Sequence, residues 1–389
     1  MRQNLLTDAE LLARLVGFDS TSRYSNRPIA EFIQDYLDLP GVRIASQPAP
    51  EEDKLNLVVS YGPEVEADRG GLVLSGHMDV VPAEEPEWTS DPFELTETDD
   101  AYVGRGSADM KGFDALAINT LARLAAEGRE LARPLCLLLT YDEELGTLGA
   151  HHFVQTWDLA ANPLPRRAII GEPTSLEVVR MHKGHAKAKL TVRGRSAHSG
   201  YPHLGHNAIE PMGRAIAALG KFRKELEGES CPNAEHFPEV PFVALNLARM
   251  RAGTAINIIP ETAELDLGIR VLPGMDAAAI WQRAEALLAS TLEGEEYHFE
   301  RLNQSPPMLM AEDHDLAQRL YAKMGQEATV SASYATDAGW FADGGFDCLL
   351  WGPGTIEVAH RPNESIPKAE LHRASDLLAE VVAEVCGVR

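Results

Sequence analysis

The residues in this chain best suited to hold cations and move protons fall in five short stretches. "SGHMDVV" (75–81) follows the apolar run Leu72–Leu74 and sets His77 and Asp79 two positions apart. In a strand, residues i and i+2 share a face. The Asp79 carboxylate is therefore expected to hold one ring nitrogen of His77 and aim the other, as an outer carboxylate orients a metal-ligating histidine. "GRGSADMKG" (104–112) places Asp109 at a helix start, where free backbone N–H groups favour a carboxylate. Asp142, Glu143 and Glu144 follow the apolar run 135–141, and Glu172 of "GEPTS" follows the run 168–170. His360 closes "PGTIEVAH", just after the apolar stretch "FDCLLWG".

Two histidines and several carboxylates suit Zn²⁺ or a similar divalent ion, with donors enough for two. Asp109 would be shared, His77 and Glu172 would complete one site, and Glu144 and His360 the other. Side chains of adjacent residues diverge, so one of Glu143 and Glu144 can ligate while the other faces the substrate as a general base. The residues alone leave open which does which. Other chemistries find less support. The glycines of 104–112 lack the Gly-Lys-Ser/Thr ending of a phosphate loop, and no Gly-x-Ser-x-Gly elbow occurs. His151, His152, His182, His185, His203 and His206 read as surface or packing residues.

These groups need a scaffold that brings them to one place. Helical patterns at 8–16, 28–38 and 110–127 alternate with apolar runs at 55–61, 71–75, 135–141 and 168–170. That alternation predicts an α/β structure with a mostly parallel sheet. Ligands of such sheets bind outside the carboxyl ends of the strands, the edge on which all these residues should lie. Near residue 183 the pattern changes. "HAKAKLTVRG" and "TAELDLGIRV" alternate strictly, with helical stretches at 206–227 and 275–291. This is the order of a split βαβ, ferredoxin-like α+β module. The expected organisation is a catalytic domain in two parts, 1–182 and 295–389, with an inserted lid domain at 183–294.

Composition sets the outer bounds. The chain has 389 residues, 44% of them apolar, enough for two domains with sizeable cores. Lys+Arg of 35 against Asp+Glu of 59 gives −24, which disfavours nucleic acid and anionic membranes as partners. No stretch approaches the ~18 uncharged residues of a membrane span. The opening stretch "MRQNLLTDAELLARLVGF" is broken by Asp8, Glu10 and Arg14 and has no signal-peptide core, and Thr7 with Glu10 fits a helix capping box. Cys136, Cys231, Cys348 and Cys386 have no metal-like spacing. Together these predict a reduced, cytoplasmic protein.

"SGHMDVVP", "GRGSADMKG", "DEELGTLGA", "GEPTS", "SAHSG" and "GPGTIEVAH" occur in the order in which the dinuclear-zinc amidohydrolases carry them. The chain resembles that family, which includes succinyl-diaminopimelate desuccinylase, aminoacylases and carboxypeptidase G, over nearly its whole length. The resemblance implies His77, Asp109, Glu144, Glu172 and His360 as ligands of two divalent ions, zinc with cobalt able to substitute. It implies Asp79 as orienter, Glu143 as the base and His198 of "SAHSG" as an oxyanion donor reaching in from a partner's lid in a homodimer. It further implies that Arg270, Asn257, Gly352 and Gly354 bind a small N-acyl amino acid. "IIGEPTSLEVVRMHKGH", "LDLGIRVLPGM" and "GPGTIEVAHRPNE" look most like members acting on N2-acetyl-L-ornithine. "SASYATDAG" departs from those members, carrying Asp337 where they carry Thr-Glu-Ala, near the substrate's acyl or side-chain pocket.

Overall fold

The structure is a computed structural model that describes residues 5–50, 53–65 and 70–389. The first four residues of the opening stretch lie outside the described residues. The chain divides into two compact units. One comprises Met1–Met181, Leu309–Val330 and Thr336–Arg389, the other His182–Met308 and Ser331–Ala335.

The first unit is built on a mixed sheet. Its strands run in the order Arg43–Pro48, Leu55–Tyr61, Leu135–Thr140, Leu72–His77, Arg167–Ile170, Asp347–Leu350. The central four are parallel to one another. Leu55–Tyr61 pairs antiparallel to them on one side and Val179–His182 on the other. Leu72–His77 and Leu135–Thr140 are buried at every position, which is why they read as unbroken apolar runs. Helix Lys111–Glu127 packs on the central strands and is itself packed by Asp8–Val16 and Lys368–Cys386. The Thr7–Glu10 capping box is present in both directions. All four cysteines are buried and free. Among the described residues no helix is long and apolar enough to cross a membrane.

The second unit is a four-stranded antiparallel sheet, in the order Ala244–Ala252, Thr262–Val271, Gly184–Arg193, Glu296–Ser305. Helices Ile209–Gly228 and Ala277–Thr291 cover one face. Burial alternates residue by residue along Gly184–Arg193 and Thr262–Val271, as their sequence pattern predicts. The unit continues through Met308, past the expected end at 294. Glu296–Ser305 pairs with Gly184–Arg193 as the fourth strand of this sheet. Its residues are mostly exposed and carry three charges, so no apolar run announces it.

Candidate metal and catalytic centre

Each central parallel strand of the first unit ends at a group that can bind or move a cation. His77 is the last residue of Leu72–His77, and Glu143 and Glu144 follow Leu135–Thr140. Glu172 follows Arg167–Ile170, and the loop to His360 follows Asp347–Leu350. Asp109 stands just before helix Lys111–Glu127. The carboxylate of Asp109 lies between the two histidines. Its Oδ1 is 3.1 Å from His77 Nε2, and its Oδ2 is 3.4 Å from His360 Nε2. His360 Nε2 is also 2.9 Å from Glu144 Oε2. Donor atoms of His77, Asp109 and Glu144 all fall within 4.8 Å of one another. Glu172 is buried within electrostatic range of Asp109, His77 and Glu144, and the half-buried Glu143 is within range of His77 and Glu172.

The electrostatics follow from this crowding. Burial, reinforced by the neighbouring carboxylates, pushes the Glu143 and Glu172 carboxyls well above the ordinary range. Burial also raises Glu144, against the pull of its bond to His360. Burial alone would depress His77 and raise Asp109. Their mutual contact reverses both, so His77 is held well above its usual value, and Asp109, bonded to both histidines, is held below. Four acids share two imidazoles in a site that is buried at His77, Asp109 and Glu172 and open at His360, and the excess negative charge fits divalent cations. Imidazole nitrogen and carboxylate oxygen are the donors that zinc and its neighbours accept.

The profile of Peptidase family M20/M25/M40 matches residues 73–384, a span that includes every one of these groups. The chain belongs to the M20/M25/M40 peptidase family. Acetylornithine deacetylase of Pasteurella multocida is 35% identical to this M20 chain over 365 residues, covering 93% of it and 92% of the relative. The acetylornithine deacetylase of Erwinia tasmaniensis is 36% identical over 372 residues, covering 95% and 93%. Two solved structures share the fold. The M20 family metallo-carboxypeptidase Sso-CP2 of Sulfolobus solfataricus has a TM-score of 0.78 at 16% identity, over 97% of this chain and 99% of that one. The YXEP protein of Bacillus subtilis, a dinuclear metal binding peptidase, has a TM-score of 0.62 at 16% identity, over 98% of each.

Asp79 departs from the expected arrangement. His77 Nδ1 lies 2.8 Å from the backbone carbonyl of Asp79, while the Asp79 carboxylate stands 3.7 Å away. The strand ends at His77, so the same-face rule does not extend to position 79. The carboxylate turns instead to the loop beyond the next strand. Its Oδ1 accepts the Glu143 N–H at 3.0 Å, and its Oδ2 accepts the Glu144 N–H at 3.3 Å and the Ser22 hydroxyl at 2.7 Å. Lys54 steadies the same turn through a 2.6 Å ion pair with Asp142, a residue in the left-handed region at φ 50°. Sequence reading missed Ser22 and Lys54, which lie in stretches with no metal-ligand pattern.

The two glycines shape the same edge of the sheet. A Cβ on Gly352 would lie 2.5 Å from the Gly171 carbonyl and 2.6 Å from that of Glu172, so only glycine lets the two strand ends pass. Gly354 has φ +88° and donates its N–H to Glu370 at 2.9 Å. Asp337 is buried. Thr140 donates its hydroxyl to one carboxylate oxygen at 2.6 Å, while the other has no partner among the described residues. Burial pushes this carboxyl up to about 7.

His198, Asn257 and Arg270 belong to the second unit. His198 is exposed, and its Nδ1 accepts the Gly200 N–H at 3.0 Å. Asn257 lies on the neighbouring segment, where its carbonyl accepts the Ser199 N–H at 2.9 Å. Arg270 pairs across the sheet with His185. Burial, with Arg270 and Lys187 adding their charge, drives the His185 imidazole down to about 3.

Proposed function

We propose that this chain hydrolyses the amide bond of N2-acetyl-L-ornithine to L-ornithine and acetate, a step of arginine biosynthesis, with two divalent ions bound at the sheet edge. The observation that carries the reading is the Asp109 carboxylate standing between His77 and His360, with Glu144 on His360. The curated relatives at about one-third identity over nearly the full length bear the name acetylornithine deacetylase, which supports this substrate.

His77, Asp109 and Glu172 would hold one ion, and Asp109, Glu144 and His360 the other. Zinc suits the donors, and cobalt can replace it. When bound, such a pair lowers the pKa of a water and polarises the amide carbonyl. Glu143 removes the proton from the attacking water and delivers it to the departing amine nitrogen. Asp79 keeps Glu143 and Glu144 diverging by gripping both of their N–H groups. Arg270 and Asn257 receive the substrate's α-carboxylate and backbone, for which a guanidinium fork is suited. His198 donates to the oxyanion from the partner's second unit in a cytoplasmic homodimer.

The test is kcat/KM over a panel of N-acyl amino acids with the zinc-loaded protein. N2-acetyl-L-ornithine should lead, with acetate and ornithine in equal amounts. A clear preference for N-succinyl-diaminopimelate or acetylcitrulline would reassign the substrate, and no hydrolysis of any member would refute the reading.

A further inference from the structure

The stretch "GPGTIEVAHRPNE" ends in residues for which the chemistry above has no use. Asn363 ties its own loop to residues 87–89, accepting from the N–H and hydroxyl of Thr89 and donating to the carbonyl of Glu87. Glu364 reaches further. It is 1% exposed, and its Oε1 accepts the backbone N–H groups of both Ala108 and Asp109, each at 3.0 Å. Its Oε2 accepts from Arg105 Nη1 at 2.8 Å. Arg105, equally buried, donates to the carbonyl of Arg361 at 3.3 Å and to that of Pro82 at 3.0 Å. One buried pair thus binds together the three loops that bring His77, Asp109 and His360 to the sheet edge.

A buried ion pair is by itself a poor source of stability, because desolvation offsets most of its attraction. What needs explaining is why one carboxylate oxygen is committed to the peptide N–H groups on either side of Ala108. Two hydrogen bonds to consecutive N–H groups fix the two peptide planes that flank Ala108, and with them the direction in which the Asp109 side chain leaves the backbone. The other oxygen, through Arg105 and the carbonyl of Arg361, fixes the loop of His360 against the same point.

We propose that Glu364 is a positioning residue that sets the Asp109 carboxylate and the His360 loop in one register, so that a single carboxylate can serve two ions. The inference rests on the two-ion reading of the site. It separates two properties of Glu364, its charge opposite Arg105 and the reach of Oε1 to the N–H pair. Glu364→Asp keeps the charge and loses the reach. Glu364→Gln keeps an oxygen over the N–H pair, but its NH₂ then faces the Arg105 guanidinium, so it loses the charge and the tie to the His360 loop.

The test is Co²⁺ binding, followed by visible absorption and by stoichiometry in equilibrium dialysis. Unfolding of each chelated variant is measured alongside, so that affinity is read on folded protein. Wild type should take up two equivalents. Glu364→Asp should bind at least one of them roughly 10–100-fold more weakly, the usual effect of losing a group that orients a ligand, with an altered cobalt spectrum. Glu364→Gln should be weakened less than Glu364→Asp, because the N–H pair keeps its acceptor while the tie through Arg105 is lost. Wild-type affinity in Glu364→Asp overturns the positioning role, and so does a loss in Glu364→Gln as large as in Glu364→Asp. Glu364→Asp decides on its own where Glu364→Gln does not fold. Wild type that takes up no cobalt would instead sink the two-ion reading, and this inference with it.

Discussion

The Asp79 carboxylate accepts the backbone N–H of Glu143 at 3.0 Å, so the residue two places after one metal-ligand candidate fixes the turn that carries the next. The second oxygen reaches Glu144 in the same way. Asp79 thus acts on the paired glutamates, while the His77 ring is held by a carbonyl.

Asp79→Asn replaces one acceptor oxygen with an amide NH₂ that must face an N–H or the Ser22 hydroxyl. The expected result is a kcat lower by about 10–100-fold and weaker binding of the ion assigned to Glu144. The His77 tautomer should be unchanged, and NMR of the ring nitrogens checks this.

Glu143 and Glu144 are neighbours with different expected phenotypes. Glu143→Gln should keep metal and substrate affinity and lose kcat by about 10²–10⁴-fold, the usual contribution of general acid–base catalysis. Glu144→Gln should lower metal occupancy, measured by inductively coupled plasma analysis after dialysis. The reverse pairing of phenotypes would exchange the two assignments.

Much of this centre is legible in the sequence, for a physical reason. Strands buried on both faces write themselves as apolar runs, and ligands of parallel sheets stand where such runs end, so His77, Glu143, Glu144 and Glu172 can be found by position. What escapes is whatever depends on tertiary approach. Lys54 meets Asp142 across 88 positions of chain, and Glu364 meets Asp109 across 255. Neither Lys54 nor Glu364 carries a local signature. Asp79 misleads because its backbone has already left the strand, and the second unit's end is placed at 294, before Glu296–Ser305, because a sheet edge with wet faces needs no apolar run.

Asp337 gives the metal-free protein a pH dependence. Its carboxyl rises from the usual range near 3.8 to about 7 through burial. A folded-state pKa above the unfolded value contributes stability that is complete below the unfolded pKa and is lost as pH rises through the folded one. With chelator present, wild type should lose a component of its melting temperature between pH 4 and 7. Asp337→Asn should lack that component and also ease the Glu143 and Glu172 carboxyls, which the Asp337 charge helps to raise, while slopes from His182 and His185 cancel in the comparison. Parallel melting profiles for the two proteins over that interval would contradict the assignment.

His198 lies in the second unit, and all five candidate ligands lie in the first. If a homodimer builds each active site from two chains, Glu143→Gln and His198→Ala, each nearly inactive alone, should complement when mixed. One of the two sites in a mixed dimer then has both groups intact. Activity should return in proportion to mixed dimers counted by an independent label. Full exchange without recovery would place His198 in its own chain's site or outside catalysis.

Release of acetate from N2-acetyl-L-ornithine, followed in one sample through chelation and metal return, shows whether hydrolysis depends on ions bound by His77, Asp109, Glu144, Glu172 and His360. Activity should disappear as the ions are removed, while the fold persists by circular dichroism, and should return with about two equivalents of Zn²⁺ or Co²⁺ per chain. Undiminished hydrolysis in protein shown to be free of metal would contradict that dependence.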